Sequence, residues 1–145
     1  MIALLQRVTR AEVSVAGARC GAIGTGLLAL IGVRPDDDSA TMARLLERIL
    51  AQRLFSDQDD RMNRCLAEVG GGLLLVPQFT LAADTRKGNR PGFSSAAEPT
   101  LARRLFEELV ALAAATHSPV ACGQFGADMQ VSLVNDGPVT VWLES

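Results

Sequence analysis

Two short stretches of the chain hold residue types arranged for chemistry. Pro77-Gln78-Phe79-Thr80-Leu81 closes an apolar run, and Asn135-Asp136-Gly137-Pro138-Val139-Thr140 reads as a hairpin near the C-terminus. Each reads as a strand terminus that exposes backbone groups and one small hydroxyl. Gly137 can take φ > 0 and lets another backbone come close. Pro138 follows it with a fixed φ and no N–H to donate. Its peptide bond is of the one kind with a realistic cis population, roughly 5–6% of cases. Asp-Gly is equally a strong turn signal, so a plain hairpin turn is the alternative reading of the same residues.

Thr80 is the candidate side-chain nucleophile, but a hydroxyl is weak without an adjacent base. It reads equally as a strand threonine bonded to backbone. No strong general base is visible. The single histidine, His117, follows a helix, precedes Ser118-Pro119 and is expected at the surface. The chain has neither a nucleophile elbow nor a phosphate-binding Gly-Lys loop. Without a base, Gln78-Phe79-Thr80 can still supply electrostatics. The backbone N–H groups of Phe79 and Thr80, with the Gln78 amide, can hold the negative oxygen of a tetrahedral intermediate. One such donor is worth about 2.7–4 kcal/mol in a characterised hydrolase. Phe79 and Phe125 are either stacking surfaces for a base, at ~1–3 kcal/mol each, or core aromatics. Met129 fits a core or a pocket wall. Arg7, set among Leu4, Leu5 and Val8, either lies on an open face or pairs with carbonyls.

Taken together, the two motifs resemble the signature motifs of the D-aminoacyl-tRNA deacylases, and the resemblance runs nearly the whole chain. Gln6-Arg7-Val8 opens the first strand as in that family, and Met62-Asn63 precedes a glycine turn. Lys87-Gly88-Asn89-Arg90-Pro91 occupies the loop after the first motif, and Phe125-Gly126-Ala127-Asp128-Met129 leads into the last strands. Two positions depart from the family pattern: Pro77 stands where serine is usual, and Gly92 where serine is common.

The resemblance implies a homodimer whose active site is made mainly of backbone and lies at the subunit interface. Gly137-Pro138, cis, would project from one subunit into the partner's pocket. Its carbonyls would hold the amino group of a D-amino acid and collide with the side chain of an L-amino acid. Catalytic roles fall on Gln78, Phe79 and Thr80, and substrate contacts on Gly137, Pro138, Arg7, Phe125 and Met129. The substrate is aminoacyl-tRNA, with glycine on the wrong tRNA also cleared, and the 2′-hydroxyl of the terminal adenosine assists water. No cofactor or metal is expected. Two alternatives remain: a sister deacylase acting on L-alanyl-tRNA(Thr), and a non-catalytic nucleic-acid-binding protein on the same fold.

Composition bounds these readings. At 145 residues, with 48% hydrophobic and 21% charged residues, the chain suits one globular domain over 1–145. The net charge of −2 provides no basic field over the whole surface, so any RNA contact must be local. Arg86, Lys87 and Arg90 in one loop, and Arg103 and Arg104 on a helix, are the candidates; a solvated surface is the alternative. Cys20, Cys65 and Cys122 lack metal-ligand spacing and read as reduced thiols packed as small hydrophobes. No apolar run reaches the ~18 residues of a membrane span, and the N-terminal residues lack a signal-peptide pattern. A cytoplasmic location is expected.

The elements that must position these residues follow from periodicity. Ile2–Val8, Glu12–Val15 and Arg19–Ile23 read as strands, and Leu27–Val33 and Leu73–Val76 as buried ones. Met42, Leu45, Leu46, Ile49 and Leu50 mark one helix face. Leu101, Leu105, Leu109 and Leu112, behind Pro99 in a first turn, mark another. Ala82–Phe93 is a long polar loop, a length that is uncommon unless functional or disordered. Val120–Phe125, Met129–Val134 and Val139–Leu143 alternate as strands. The pattern predicts a single α/β domain with two long helices packed on a sheet. The resemblance adds that the sheet is strongly curved and barrel-like, with the helices outside.

Overall fold

The apolar runs fold as parallel and antiparallel strands around one hub. The computed structural model describes residues 1–145. The hub is β1 (Ile2–Val15), joined by β2 (Ala18–Ile23), β3 (Gly26–Gly32), β6 (Gly72–Pro77), β7 (Val120–Cys122) and β8 (Met129–Glu144) in one sheet. Along one edge, β1 pairs antiparallel with β8 for nearly its full length. Along the other it pairs with β3 through Ile2–Val8 and with β2 through Ala11–Val15. The strands β3, β6 and β7 are mutually parallel. A small hairpin of β4 (Phe55–Ser56) and β5 (Met62–Arg64) stands apart.

The sheet curls until β2 meets β7. A Cβ placed on Gly21 would sit 2.7 Å from the Cys122 carbonyl oxygen, so this seam closes only because residue 21 lacks a side chain. The curvature divides the apolar residues between two cores. On the convex side α1 (Ser39–Ala51) and α2 (Pro99–Thr116) pack Leu45, Ile49, Leu105 and Leu109 against Leu5, Leu27, Leu73 and Leu75. On the concave side Val8, Val13, Ile23, Leu28, Leu74 and Val76 form a second cluster. Successive residues of β6 thus go to opposite cores, which is why its apolar run is continuous rather than alternating. Asp38 caps α1, accepting from the Thr41 amide at 2.7 Å.

The single α/β domain with a curved sheet and two long helices outside is as expected. Three local expectations are corrected. The strands at Ile2–Val8 and Glu12–Val15 are one continuous β1, because β8 runs beside both halves. The expected C-terminal hairpin is likewise one strand. Met129–Val134 and Val139–Leu143 pair with β1 in the same direction rather than with each other. The cysteines are free but not packed away: Cys20 is exposed, and Cys65 and Cys122 are half-buried. Cys20 occupies an irregularity in β2, where the register slips beside Val13.

Candidate active site

The strand β6 delivers the first motif. It ends at Pro77, and the chain turns through a short 3-10 segment, Phe79–Ala82. The Gln78 amide donates to the Ile31 carbonyl at 2.7 Å, and the first bond of the turn is Leu81 N–H to Gln78 C=O at 3.2 Å. The amides of Phe79 and Thr80 precede that bond, in the position where a helical turn leaves donors without an internal partner. The Thr80 hydroxyl accepts from the Gln78 side-chain amide. Its neighbour is therefore a neutral donor, not a base.

A cavity of about 300 Å³ opens beside this turn, lined among others by Pro77, Gln78, Phe79, Phe125, Gly126 and Met129. Four of the expected residues, from two well-separated stretches of the sequence, thus meet on one wall system: Gln78, Phe79, Phe125 and Met129. None of the lining residues titrates. Phe79 is 56% exposed and meets Phe93 edge-on, with centroids 5.0 Å apart. Phe125 rests on Phe106 of α2 and carries the Arg103 guanidinium over its ring, 4.9 Å from the centroid. Both rings therefore border the cavity rather than fill the core. His117 is remote and half-buried rather than on the surface. Its Nε2 is 2.8 Å from the Gly71 carbonyl oxygen, at the opposite end of β6, so no Ser/Thr-His arrangement forms.

The second motif is an excursion in β8. Gln6 pairs with Thr140 and Val8 with Asn135, so four residues, Asp136 to Val139, stand opposite Arg7 alone. The Gly137-Pro138 bond is cis and both residues are exposed. Gly137 has φ +117, where L side chains are strained, and a Cβ there would lie 2.8 Å from Val139 Cγ2 and 3.1 Å from Arg7 Nη2. Asn135 closes the base of the excursion. Its Nδ2 donates to the carbonyls of Arg7 (2.9 Å) and Val139 (3.1 Å), and its Oδ1 accepts from Thr140 Oγ1 (3.1 Å). That role was not anticipated from sequence, although an asparagine opening a Gly-Pro motif is a recognisable signal for backbone bonding.

Arg7 resolves into the paired state. Its side chain is 13% exposed, with Nε 3.0 Å from Asp136 Oδ2. Nη1 donates to the Leu54 carbonyl at 2.7 Å. It ties the excursion to the segment after α1. Arg7, Gly137 and Pro138 are nevertheless not at the cavity of their own chain. Arg7 pairs with Leu27 and Leu27 with Leu73, at the start of β6, whereas the cavity lies at its end. For Arg7, four residues along and two strand spacings across correspond to about 13 Å and 10 Å, and β8, which carries Gly137-Pro138, lies one spacing beyond β1.

The basic residues divide by structure. Arg86 makes a two-point contact with Asp84, at 2.9 and 2.7 Å, and holds that carboxyl well below the usual range. Arg104 donates to Glu108 at 2.8 Å. Lys87 and Arg90, with Arg86, line an open hollow in the loop after the first motif.

A family model described as D-Tyr-tRNA(Tyr) deacylase matches residues 4–144 of this chain. The D-aminoacyl-tRNA deacylase of Thioalkalivibrio sulfidiphilus is 67% identical over 144 residues, which is 99% of this chain and 97% of that protein. The D-aminoacyl-tRNA deacylase of Azotobacter vinelandii is 60% identical over 145 residues, all of both chains. Among solved structures, one named c-Myc DNA Unwinding Element Binding Protein superposes with TM-score 0.95 at 36% identity, covering 100% of this chain and 99% of its own. A probable eukaryotic D-amino acid tRNA deacylase superposes with TM-score 0.84 at 15% identity, covering 99% and 98%, a likeness of fold.

Proposed function

Because the chain belongs to the D-Tyr-tRNA(Tyr) deacylase family, we propose a base-free active site for the hydrolysis of D-aminoacyl-tRNA. The reaction is the cleavage of the ester between a D-amino acid and the terminal adenosine, which releases free tRNA and the amino acid. The observation that carries the reading is the cavity itself, apolar and aromatic, without a titratable lining residue, and set beside two amides that open a turn.

The amides of Phe79 and Thr80 hold the oxyanion that forms as water attacks the ester carbonyl, a contribution of about 2.7–4 kcal/mol per donor. Gln78 orients the Thr80 hydroxyl. The general-base role falls to the substrate, whose 2′-hydroxyl assists water. Phe79, Phe125 and Met129 provide the apolar bed for the terminal adenosine. The Gly137-Pro138 excursion supplies the chiral test. It is exposed, held rigid by Arg7 and Asn135, and distant from its own cavity, so it serves a second copy of the chain in a homodimer. Its carbonyls receive the substrate's amino group and stand where an L side chain would go. Rejection of this kind is indifferent to the identity of the D side chain and admits glycine. A thousandfold discrimination needs about 4 kcal/mol, within reach of a clash with an anchored backbone.

Loss of ester from D-tyrosyl-, L-tyrosyl- and glycyl-tRNA is the direct test. Rapid cleavage of the D and glycyl forms with slow cleavage of the L form is expected; equal rates on D and L would remove the chiral mechanism. A second reading, nucleic-acid binding without catalysis, is favoured by the name of the 36% identical solved structure. Tight binding of single-stranded DNA by a protein that leaves D-tyrosyl-tRNA intact would establish it.

A further inference from the structure

Arg103 and Arg104 are neighbours in sequence with equal side-chain exposure, 54% each, yet the fold separates their tasks. Arg104 is committed to Glu108, whose other oxygen accepts from Ser39 of α1 at 2.7 Å. That set braces one helix against the other. Arg103 points to the cavity side. Its guanidinium lies on the face of Phe125, and Nη2 is 3.7 Å from the position a Cβ would take at Gly126. Phe125 and Gly126 both line the cavity. The carboxylate nearest to Arg103, Glu107, is 3.8 Å away and itself 63% exposed. Such an exposed pair holds its partners weakly.

The result is a cation set over one aromatic wall of a cavity that contains no charge of its own. The ring contact holds the guanidinium beside the cavity while its N–H groups make no hydrogen bond within the chain, which leaves the fork available for two-point contact with a phosphate. We propose that Arg103 takes the phosphodiester immediately preceding the terminal adenosine, and so makes the cavity select a nucleotide at the end of a polynucleotide over a free nucleoside ester. The inference rests on the deacylase reading of the cavity and adds to it one phosphate contact on α2. Loop residues Lys87 and Arg90 do not fill this role, because they border a separate open hollow and have no aromatic surface to hold them in place. Gly126 adjoins the same arrangement: its φ of +77 disfavours any side chain, and a Cβ there would rest in ordinary contact with Arg103 Nη2 at 3.7 Å.

The test compares D-tyrosyl-tRNA with 3′-O-(D-tyrosyl)adenosine, which carries the same ester and base but no phosphodiester. In the parent protein the tRNA should have the lower KM, with a KM that rises with salt. Arg103→Ala should raise KM for the tRNA about tenfold with kcat within twofold. It should also lower the salt slope by roughly the 0.7 expected for one single-strand phosphate contact. On the nucleoside ester its effect should be small, and Arg103→Lys, which keeps charge without the fork, should fall between. An equal loss on both substrates would show that Arg103 only supports the Phe125 wall, and no loss on either would show that it has no part; both overturn the proposal. Failure of the parent protein to cleave either substrate would instead remove the deacylase reading, and this inference with it.

Discussion

Arg7 is the residue on which the second motif depends. It bonds to the Leu54 carbonyl, lies against Asp136 in charge contact and touches the space beside Gly137. Hydrogen bonds to charged groups are worth about 1.5–3 kcal/mol. Arg7→Ala should therefore lower the denaturant midpoint by a loss of that size. It should lower deacylation by more, because the excursion loses its anchor; unchanged activity would separate Arg7 from the site. Gly137→Ala faces a φ of +117 and contacts of 2.8–3.1 Å, and should impair activity even if folded. Thr80 is the opposite case. Its hydroxyl meets an amide rather than a base, so Thr80→Ala should keep a substantial part of the rate. A substrate ending in 2′-deoxyadenosine should react far more slowly. Trapping an acyl-Thr80 ester would reverse this assignment.

Among the elements, β3 and β6 approach each other closely where Gly26 faces Gly72. A Cβ on Gly26 would fall 1.9 Å from the Gly72 carbonyl oxygen and 2.6 Å from its nitrogen. Backbone atoms cannot give way as a flexible side-chain end does. Gly26→Ala should thus displace β3 from β6, costing 3 kcal/mol or more on the order of a severe core defect. It should also disturb the cavity at the far end of β6. Thermal unfolding and far-ultraviolet dichroism would measure it, and a wild-type melting temperature would contradict the packing described. Asn135→Ala acts on β8 instead. It leaves the carbonyls of Arg7 and Val139 without their donor, at about 1–3 kcal/mol, and should relax discrimination against L substrates before it abolishes cleavage.

At the scale of the whole molecule, the separation of the two motifs within one chain predicts association. Light scattering at micromolar concentration should give twice the chain mass of 15.3 kDa; a monomer with full activity would end the shared-site proposal. Stability should also depend on acid. Asp38, Asp57, Glu68, Asp84, Glu108 and Glu144 all have their carboxyls held below their ordinary values, chiefly by hydrogen bonds. Groups whose pKa is depressed on folding contribute stability above their unfolded values, 3.8 for Asp and 4.5 for Glu, and lose it as pH falls through the lower folded ones. The melting temperature should be nearly flat from neutral pH to about pH 5 and decline below about pH 4. Asp38, Glu68 and Glu144 are exposed and Asp57, Asp84 and Glu108 only half-buried, so the decline should be gradual and weaker in salt.

Much of this protein is written in local sequence. The two amphipathic helices follow from apolar spacing, and the paired burial of Leu73–Val76 from a run too apolar for one-sided exposure. The Gln78-Phe79-Thr80 and Gly137-Pro138 motifs could be singled out by residue type, because turn, donor and φ preferences are properties of a few adjacent residues. What the chain does with them depends on partners far away in sequence. Asp136-Gly137 signals a hairpin in isolation, but β1 offers 14 residues of edge to both flanking segments, and pairing with it converts the turn into an excursion within one strand. The same long-range register brings Phe125 and Met129 to Gln78, gives Arg7 its carbonyl and its carboxylate, and leaves Gly137-Pro138 far from the cavity of its own chain. Local sequence sets the conformations each segment can adopt; strand register, fixed by contacts more than a hundred residues apart, decides which of them face one another.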